Sequence, residues 1–221
     1  MAKYVLWDVD GTLLLNGPRA GSLYDEAIEQ IAGISPSGPR PAEHGKVDGQ
    51  IIAERLAEHG LSPDLHHAVA DRLDDLSVER HTGADRRQLA PGVHEALDAV
   101  LAAGWTNCLL TGNSPRRARV KLEGAGLDPA LFDWERSFFG DQARARSELT
   151  TAASAALHGS PRVIVGDTPS DDAAAAAVGI PFLAVATGVF PARELERTGA
   201  VFVMPDLVTG LPDLLAYLRQ A

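Results

Sequence analysis

Hydrophobic and polar positions follow two regimes along this chain. Beyond residue 91, short apolar runs of strand length alternate with segments of helical spacing. Between residues 16 and 88 only helical spacing recurs. The chain opens on Tyr4-Val5-Leu6-Trp7, an apolar run that reads as a buried strand. Pro91-Gly92 opens a helix near 92–103, with Val93, Leu97, Val100 and Leu101 expected on its buried face and Gly104 ending it. Thr106 to Leu110 is a predicted strand. Ser114-Pro115 starts a helix that runs to about Gly124, with serine as N-cap and proline in the first turn. Ser137–Phe139 is a short strand, 146–157 a helix, 162–165 a strand rich in β-branched residues and 170–178 an alanine-rich helix. Strands at 182–185 and 201–203 and a helix near 211–219 complete the series. Strands alternating with helices predict an α/β architecture built on a parallel sheet. The insert at 16–88 is expected to hold helices at about 21–32, 49–59 and 63–81, with a Pro/Gly-rich connection at Ser35–Pro41. No internal repeat interrupts this plan.

Composition changes the picture in three ways. The chain has 221 residues, 45% of them hydrophobic and 23% charged, so it suits one large soluble domain or a core with a smaller insert. Its net charge of -10 disfavours nonspecific nucleic-acid binding, which needs basic surface. Cys108 is the single cysteine, so no internal disulfide can form and a reducing compartment fits. The first residues lack a signal-peptide core and no segment is long enough to span a bilayer, so the expected location is the cytoplasm, without membrane contact. Only Lys3, Lys46 and Lys121 are lysines.

The chemistry-bearing residues fall at strand ends, where open parallel sheets bind ligands. Asp8 and Asp10 follow the first strand. Two such charges about 4 Å apart repel by roughly 4 kcal/mol at an effective dielectric of about 20, so a proton or a cation must answer them. Asp8 suits a nucleophile and metal ligand and Asp10 a general acid/base; an Asx-type turn is the plainer alternative. Thr111, Gly112 and Asn113 precede a helix N-terminus and offer a phosphate cradle, or simply a capped turn. Arg144 and Arg146 offer a cation after the short strand at Phe139, or solvated arginines. Asp167 and Asp171 stand four residues apart around the start of a helix, where Ser170 or Asp171 could equally be a cap. Four carboxylates at one edge, without nearby histidine or cysteine, suit Mg²⁺ better than zinc. Such a metal in turn implies a phosphate-like substrate.

These residues carry a family resemblance. Asp8-x-Asp10-Gly11-Thr12, Thr111-Gly112-Asn113, a basic residue at 144–146 and Gly166-Asp167-Thr168-Pro169-Ser170-Asp171 resemble the four ordered motifs of the haloacid dehalogenase (HAD) superfamily, along the whole chain. The chain is similar to its phosphoglycolate phosphatase-like branch. The resemblance implies a Rossmann-like core, 1–15 plus about 89–221, with an inserted α-helical C1 cap at 16–88. It also implies a Mg²⁺-dependent phosphatase acting on a small phosphorylated metabolite. Asp8 would form an aspartyl-phosphate. Asp10 would protonate the leaving oxygen and then deprotonate water. Mg²⁺ would be held by the Asp8 side chain, the Asp10 carbonyl and Asp167, with Asp171 placing its waters. Thr111 and the Gly112 amide would hold phosphoryl oxygens. Asp10 favours phosphoryl transfer over dehalogenation, because carbon–halogen-cleaving relatives usually lack an acid there.

The third motif usually offers lysine, yet no lysine falls between 122 and 221. Arg146 is the best positional match and Arg144 its neighbour; a planar fork replaces a point charge. Lys121 reads as a solvated helix residue. In the insert, His44-Gly45-Lys46-Val47-Asp48-Gly49 resembles the branch's specificity loop, with Val47 where threonine is common. Lys46 and His44 would face the substrate, or Asp48 would merely cap a helix. Lys46 has no context for a Schiff base. The three tryptophans are expected in the core or at strand edges, and His66, His67 and His94 on helix surfaces. A phosphomutase of the β-phosphoglucomutase kind, a non-catalytic phosphate- or partner-binding protein and a receiver-like signalling domain are the rival readings.

Overall fold

A computed structural model describes residues 1–16, 22–37, 43–81 and 86–221. Among the described residues six strands form one parallel sheet: β1 (Tyr4–Trp7), β2 (Thr106–Thr111), β3 (Phe138–Phe139), β4 (Arg162–Gly166), β5 (Phe182–Val185) and β6 (Val203–Met204). Their order is β3-β2-β1-β4-β5-β6. The first strand is therefore central, and the chain turns to one side for β2 and β3 and to the other for β4 to β6. Trp7 stands opposite both Leu109 and Val165, so the loops after β1, β2 and β4 emerge together. This reversal of strand order creates the crevice in which such sheets bind ligands.

Both faces of the sheet are covered, which explains the continuous apolar runs. Val5 and Trp7 join Val163 and Val165 on one face; Tyr4 and Leu6 join Ile164 on the other. The first face packs against α4 (Val93–Ala102), α5 (Pro115–Gly124) and α9 (Leu211–Gln220); the second against α6 (Arg146–Ala156) and α7 (Pro169–Ala176). Asn107 lies in the core with its polar atoms satisfied: it accepts from Trp7 Nε1 at 2.9 Å and donates to the Leu97 carbonyl at 3.2 Å. Between β1 and α4 lie α1 (Ser22–Ala32), α2 (Asp48–Glu58) and α3 (His66–His81), which bury their own apolar cluster of Leu23, Ile28, Ile52, Leu56, Val69 and Leu73.

Several sequence expectations are corrected. Leu101 is 43% exposed, because α4 turns Val93, Ala96, Leu97 and Val100 inward instead. The pattern at 63–81 divides into a 3₁₀ turn, Pro63–Leu65, and α3. The last strand lies two residues later than its apolar run suggests, and a short helix α8 (Ala192–Leu195) went unpredicted. Thr168, not Ser170 or Asp171, is the N-cap of α7; it forms a capping box with Asp171. Asp48 is the first residue of α2 and Val47 its N-cap, with no side-chain cap bond. His66 is buried, with Nε2 3.1 Å from the Gly49 carbonyl, while His67 and His94 are exposed as expected. Gly38–Pro41 of the Pro/Gly-rich segment and Gly21 at the expected start of the first helix lie outside the described residues. Among the described residues, no helix is long and apolar enough to cross a membrane.

Candidate active site

The strand ends bring Asp8, Asp10, Thr111, Gly112, Asn113, Arg146 and Asp167 to one cavity of about 500 Å³, which Lys46, Asp48, Arg117 and Lys121 also line. Asp8 is fixed by its amide, which donates to the Val165 carbonyl at 2.9 Å. Gly11 then turns the chain with φ of +89°, a conformation in which its lack of a side chain also leaves room for the Asp167 carboxylate. Thr12 Oγ1 donates to Asp167 Oδ1 at 3.3 Å.

Asp8, Asp167 and Asp171 offer carboxylate oxygens that all lie within 4.8 Å of one another, and all three are buried. Burial pushes Asp8 up to about 6, with Arg146 opposing and Asp171 adding to the rise. Burial and the neighbouring Asp8 and Asp171 charges raise Asp167 well above the carboxylate range. Arg146, itself buried, stands 3.0 Å from Asp8 Oδ1 and 2.5 Å from Asp171 Oδ1, and donates to the Leu110 carbonyl at 3.1 Å. The contact with Asp171 is an ion pair without aligned hydrogen-bond geometry. Arg144 does not reach this cluster; it is bonded to the Gly49 carbonyl at 3.3 Å. Among the described residues, one guanidinium therefore faces three carboxylates, an excess of negative charge at a buried oxygen-only cluster. A hard divalent cation fits that donor set. Asp171 is already engaged by Arg146 and by the Thr168 amide and hydroxyl, so the less occupied oxygens belong to Asp8 and Asp167.

Asp10 turns away from this cluster. Its Oδ2 accepts from Lys121 Nζ at 2.6 Å and from Asn113 Nδ2 at 2.8 Å, and Arg87 lies 3.4 Å from Oδ1. Burial alone would raise Asp10, but Lys121 and Arg87 outweigh it and hold the carboxyl well below the usual range. Burial pulls Lys121 down to about 8 against the attraction of Asp10. Near pH 7 both groups are thus charged. The solvated reading of Lys121 is overturned: it is 3% exposed and bridges Asp10 and Asn113 Oδ1, the latter at 2.6 Å. The signal was available, since Arg117, Ala118, Lys121 and Leu122 share one face of α5. Arg87 had no such signal. Asn113 also donates to Thr111 Oγ1, at 2.7 Å from its side chain, so the cradle after β2 is tied to Asp10.

Lys46 lines the cavity and pairs with Glu54 at 2.5 Å; His44 lines it too. The tryptophans play no part. Trp7 and Trp105 are core residues, and Trp134 stacks on Phe139.

The chain has relatives in sequence and in fold. The model of the haloacid dehalogenase-like hydrolase family matches residues 2–179. The chain belongs to that family of hydrolases. Along nearly its whole length it is similar to phosphoglycolate phosphatases. It is 30% identical to one from Cereibacter sphaeroides, over 97% of this chain and 98% of that protein, and 26% identical to one from Rhodospirillum rubrum, over 98% and 92%. Its fold matches a HAD hydrolase of family IA from Entamoeba histolytica, with a TM-score of 0.73 at 18% identity, covering all of both chains. It also matches CbbY from Rhodobacter sphaeroides, solved in complex with phosphate, with a TM-score of 0.66 at 20% identity over 95% of this chain and 96% of that one.

Proposed function

We propose that this protein hydrolyses a small phosphomonoester through an aspartyl-phosphate on Asp8, with Mg²⁺ as cofactor. The observation that carries the reading is the pairing of two carboxylates in one cavity under opposite control. Asp8 stands in the acidic cluster facing Arg146, and Asp10 stands apart, held by Lys121, Asn113 and Arg87. An enzyme that splits one displacement into two needs a nucleophile and a separate proton carrier.

Thr111, the Gly112 amide and Asn113 would bind the phosphoryl oxygens and align phosphorus with Asp8. An Asp8 oxygen would attack phosphorus as the ester P–O bond breaks, and Asp10 would pass to the leaving oxygen a proton drawn from its partner Lys121, which is ionised near pH 7. Asp10 would then take a proton from the water that attacks phosphorus and return it to Lys121, releasing phosphate and restoring Asp8. Lys121 thus serves as the proton reservoir of the pair and holds Asp10 as the anion between the two transfers. Arg146 would offset charge between nucleophile and phosphoryl group, where electrostatics carry most of the catalysis. Mg²⁺ held by Asp8, the Asp10 carbonyl and Asp167, with Asp171 and Arg146 behind them, would supply the remaining positive charge.

In this reading residues 1–15 and 89–221 form the catalytic core and 16–88 a cap whose Lys46 and His44 face the leaving group, in a cytoplasmic enzyme. The similarity to phosphoglycolate phosphatases makes 2-phosphoglycolate the first candidate substrate. The test is a panel of metabolite phosphomonoesters assayed for phosphate release with Mg²⁺ and with EDTA. Metal-dependent release is expected from at least one, and its absence from all would overturn the proposal.

A further inference from the structure

His44, Gly45 and Lys46 line the cavity as a roof without belonging to a helix or a strand, and Val47 joins them to the helix that follows. Apolar burial of Val47 is only part of what holds them. Asp48, the next residue, is 4% exposed although it bears a carboxylate. Its Oδ1 accepts from Tyr24 Oη at 2.6 Å and lies 2.5 Å from Arg117 Nη1; its Oδ2 accepts from the Ser114 amide at 3.1 Å. Arg117 Nε donates in turn to Ser77 Oγ at 3.0 Å. Burial works against the charge on Arg117, but Asp48 and Tyr24 outweigh it and raise its pKa above the ordinary value. One side chain thus ties the end of the roof to α1, to α5 and to the turn that follows Thr111.

The backbone repeats the connection. The Asp48 amide donates to the Gly112 carbonyl at 2.8 Å, and the Gly49 amide to the Gly140 carbonyl at 2.9 Å. A Cβ on Gly112 would stand 2.5 Å from the Lys46 carbonyl, so only glycine lets the roof approach this closely. A buried ion pair adds little net stability over a well-packed apolar replacement, whereas removing one partner is costly. The consequence of this pair lies in the register it imposes on the seam.

We propose that Asp48 is a positioning residue for substrate selection: tied to Arg117, Tyr24 and the Ser114 amide, it seats the segment carrying His44 and Lys46 on the Gly112 turn and so sets their distance from Asp8. The kinetic half of this inference rests on the phosphatase reading; the seating itself does not. Asp48→Asn keeps the shape and removes the charge. Amide exchange at residues 43–49 is expected to speed up about tenfold or more in that variant, with Tyr4–Trp7 and Arg162–Gly166 unchanged. With 2-phosphoglycolate as probe, KM should rise about tenfold while kcat stays within about threefold. Arg117→Lys should lose less than Arg117→Met. If Asp48→Asn does not fold, Tyr24→Phe serves, with smaller changes of the same sign. Unchanged exchange at 43–49, an equal rise in β1 and β4, or an unchanged KM with faster exchange would each overturn the proposal. If the wild-type protein hydrolyses no phosphomonoester, the functional reading fails, and the exchange comparison still decides whether Asp48 seats the roof.

Discussion

Replacing Arg146 by glutamine removes the guanidinium that, among the described residues, alone faces Asp8 and Asp171. The three carboxylates whose oxygens lie within 4.8 Å of one another then have only metal or protons to answer them. At that separation and an effective dielectric of about 20, each ionised pair repels by roughly 3.5 kcal/mol. Breaking a buried pair from one side costs about 3–5 kcal/mol. For a chain of this length that corresponds to a drop in Tm of about 6–20 °C. Thermal melts in EDTA should show that drop. Melts in excess Mg²⁺ should recover part of it, because an ion that binds only the folded cluster stabilises it by mass action. Arg146→Lys should fall between, since a point charge restores the sign but not the fork that spans Asp8, Asp171 and the Leu110 carbonyl. A glutamine variant that melts within about 2 °C of wild type in EDTA, or that gains no more from Mg²⁺ than wild type does, would refute the reasoning.

Asp10→Asn should abolish steady-state phosphate release, because the leaving oxygen and the attacking water both lose their proton carrier; a receiver-like domain would instead still accept phosphate at Asp8, read as a phosphoprotein band in rapid-quench gels. Lys121→Met leaves Asp10 with Asn113 and a more distant Arg87, and should lower kcat/KM by about 10²-fold; wild-type kinetics in this variant would return Lys121 to a packing role. Burial pushes the Cys108 thiol up to about 12, so the native protein should not react with an aromatic disulfide reagent at pH 8, and one thiol should appear in denaturant. His81 is buried, and burial together with Lys121 and Arg87 lowers it to about 4. Between about pH 6.5 and 4 the unfolded chain binds this proton and the folded chain does not, so stability falls as pH falls, by at most about 3 kcal/mol. Urea midpoints at pH 7 and 5 should therefore differ less in His81→Asn than in wild type, and equal differences would remove His81 from the account.

The residues of the strands and of the four loops determine a good deal by themselves. Strand-length apolar runs that alternate with helical segments fit a parallel sheet covered on both faces, which is why β1, β2, β4 and β5 were legible. The acidic residues at 8, 10, 167 and 171 were equally legible, because carboxylates next to buried strands need an explanation. Short elements were not: Val203–Met204 is too brief for its pattern to set a boundary, and Leu101 sits on the edge of a helical stripe. Charge partners were the larger gap. Asp8 and Asp10 read from the sequence as one repelling pair awaiting a shared cation. Folding divides them, giving Asp8 to Arg146 across the sheet and Asp10 to Lys121 from α5, more than a hundred residues away in each case. Asp48 likewise read as a helix cap until α1 and α5 closed around it. Local sequence carries propensity and periodicity, and these reach only a few residues along the chain. Which cation answers a buried carboxylate depends on elements that meet only when the sheet is assembled, and only the tertiary structure decides it.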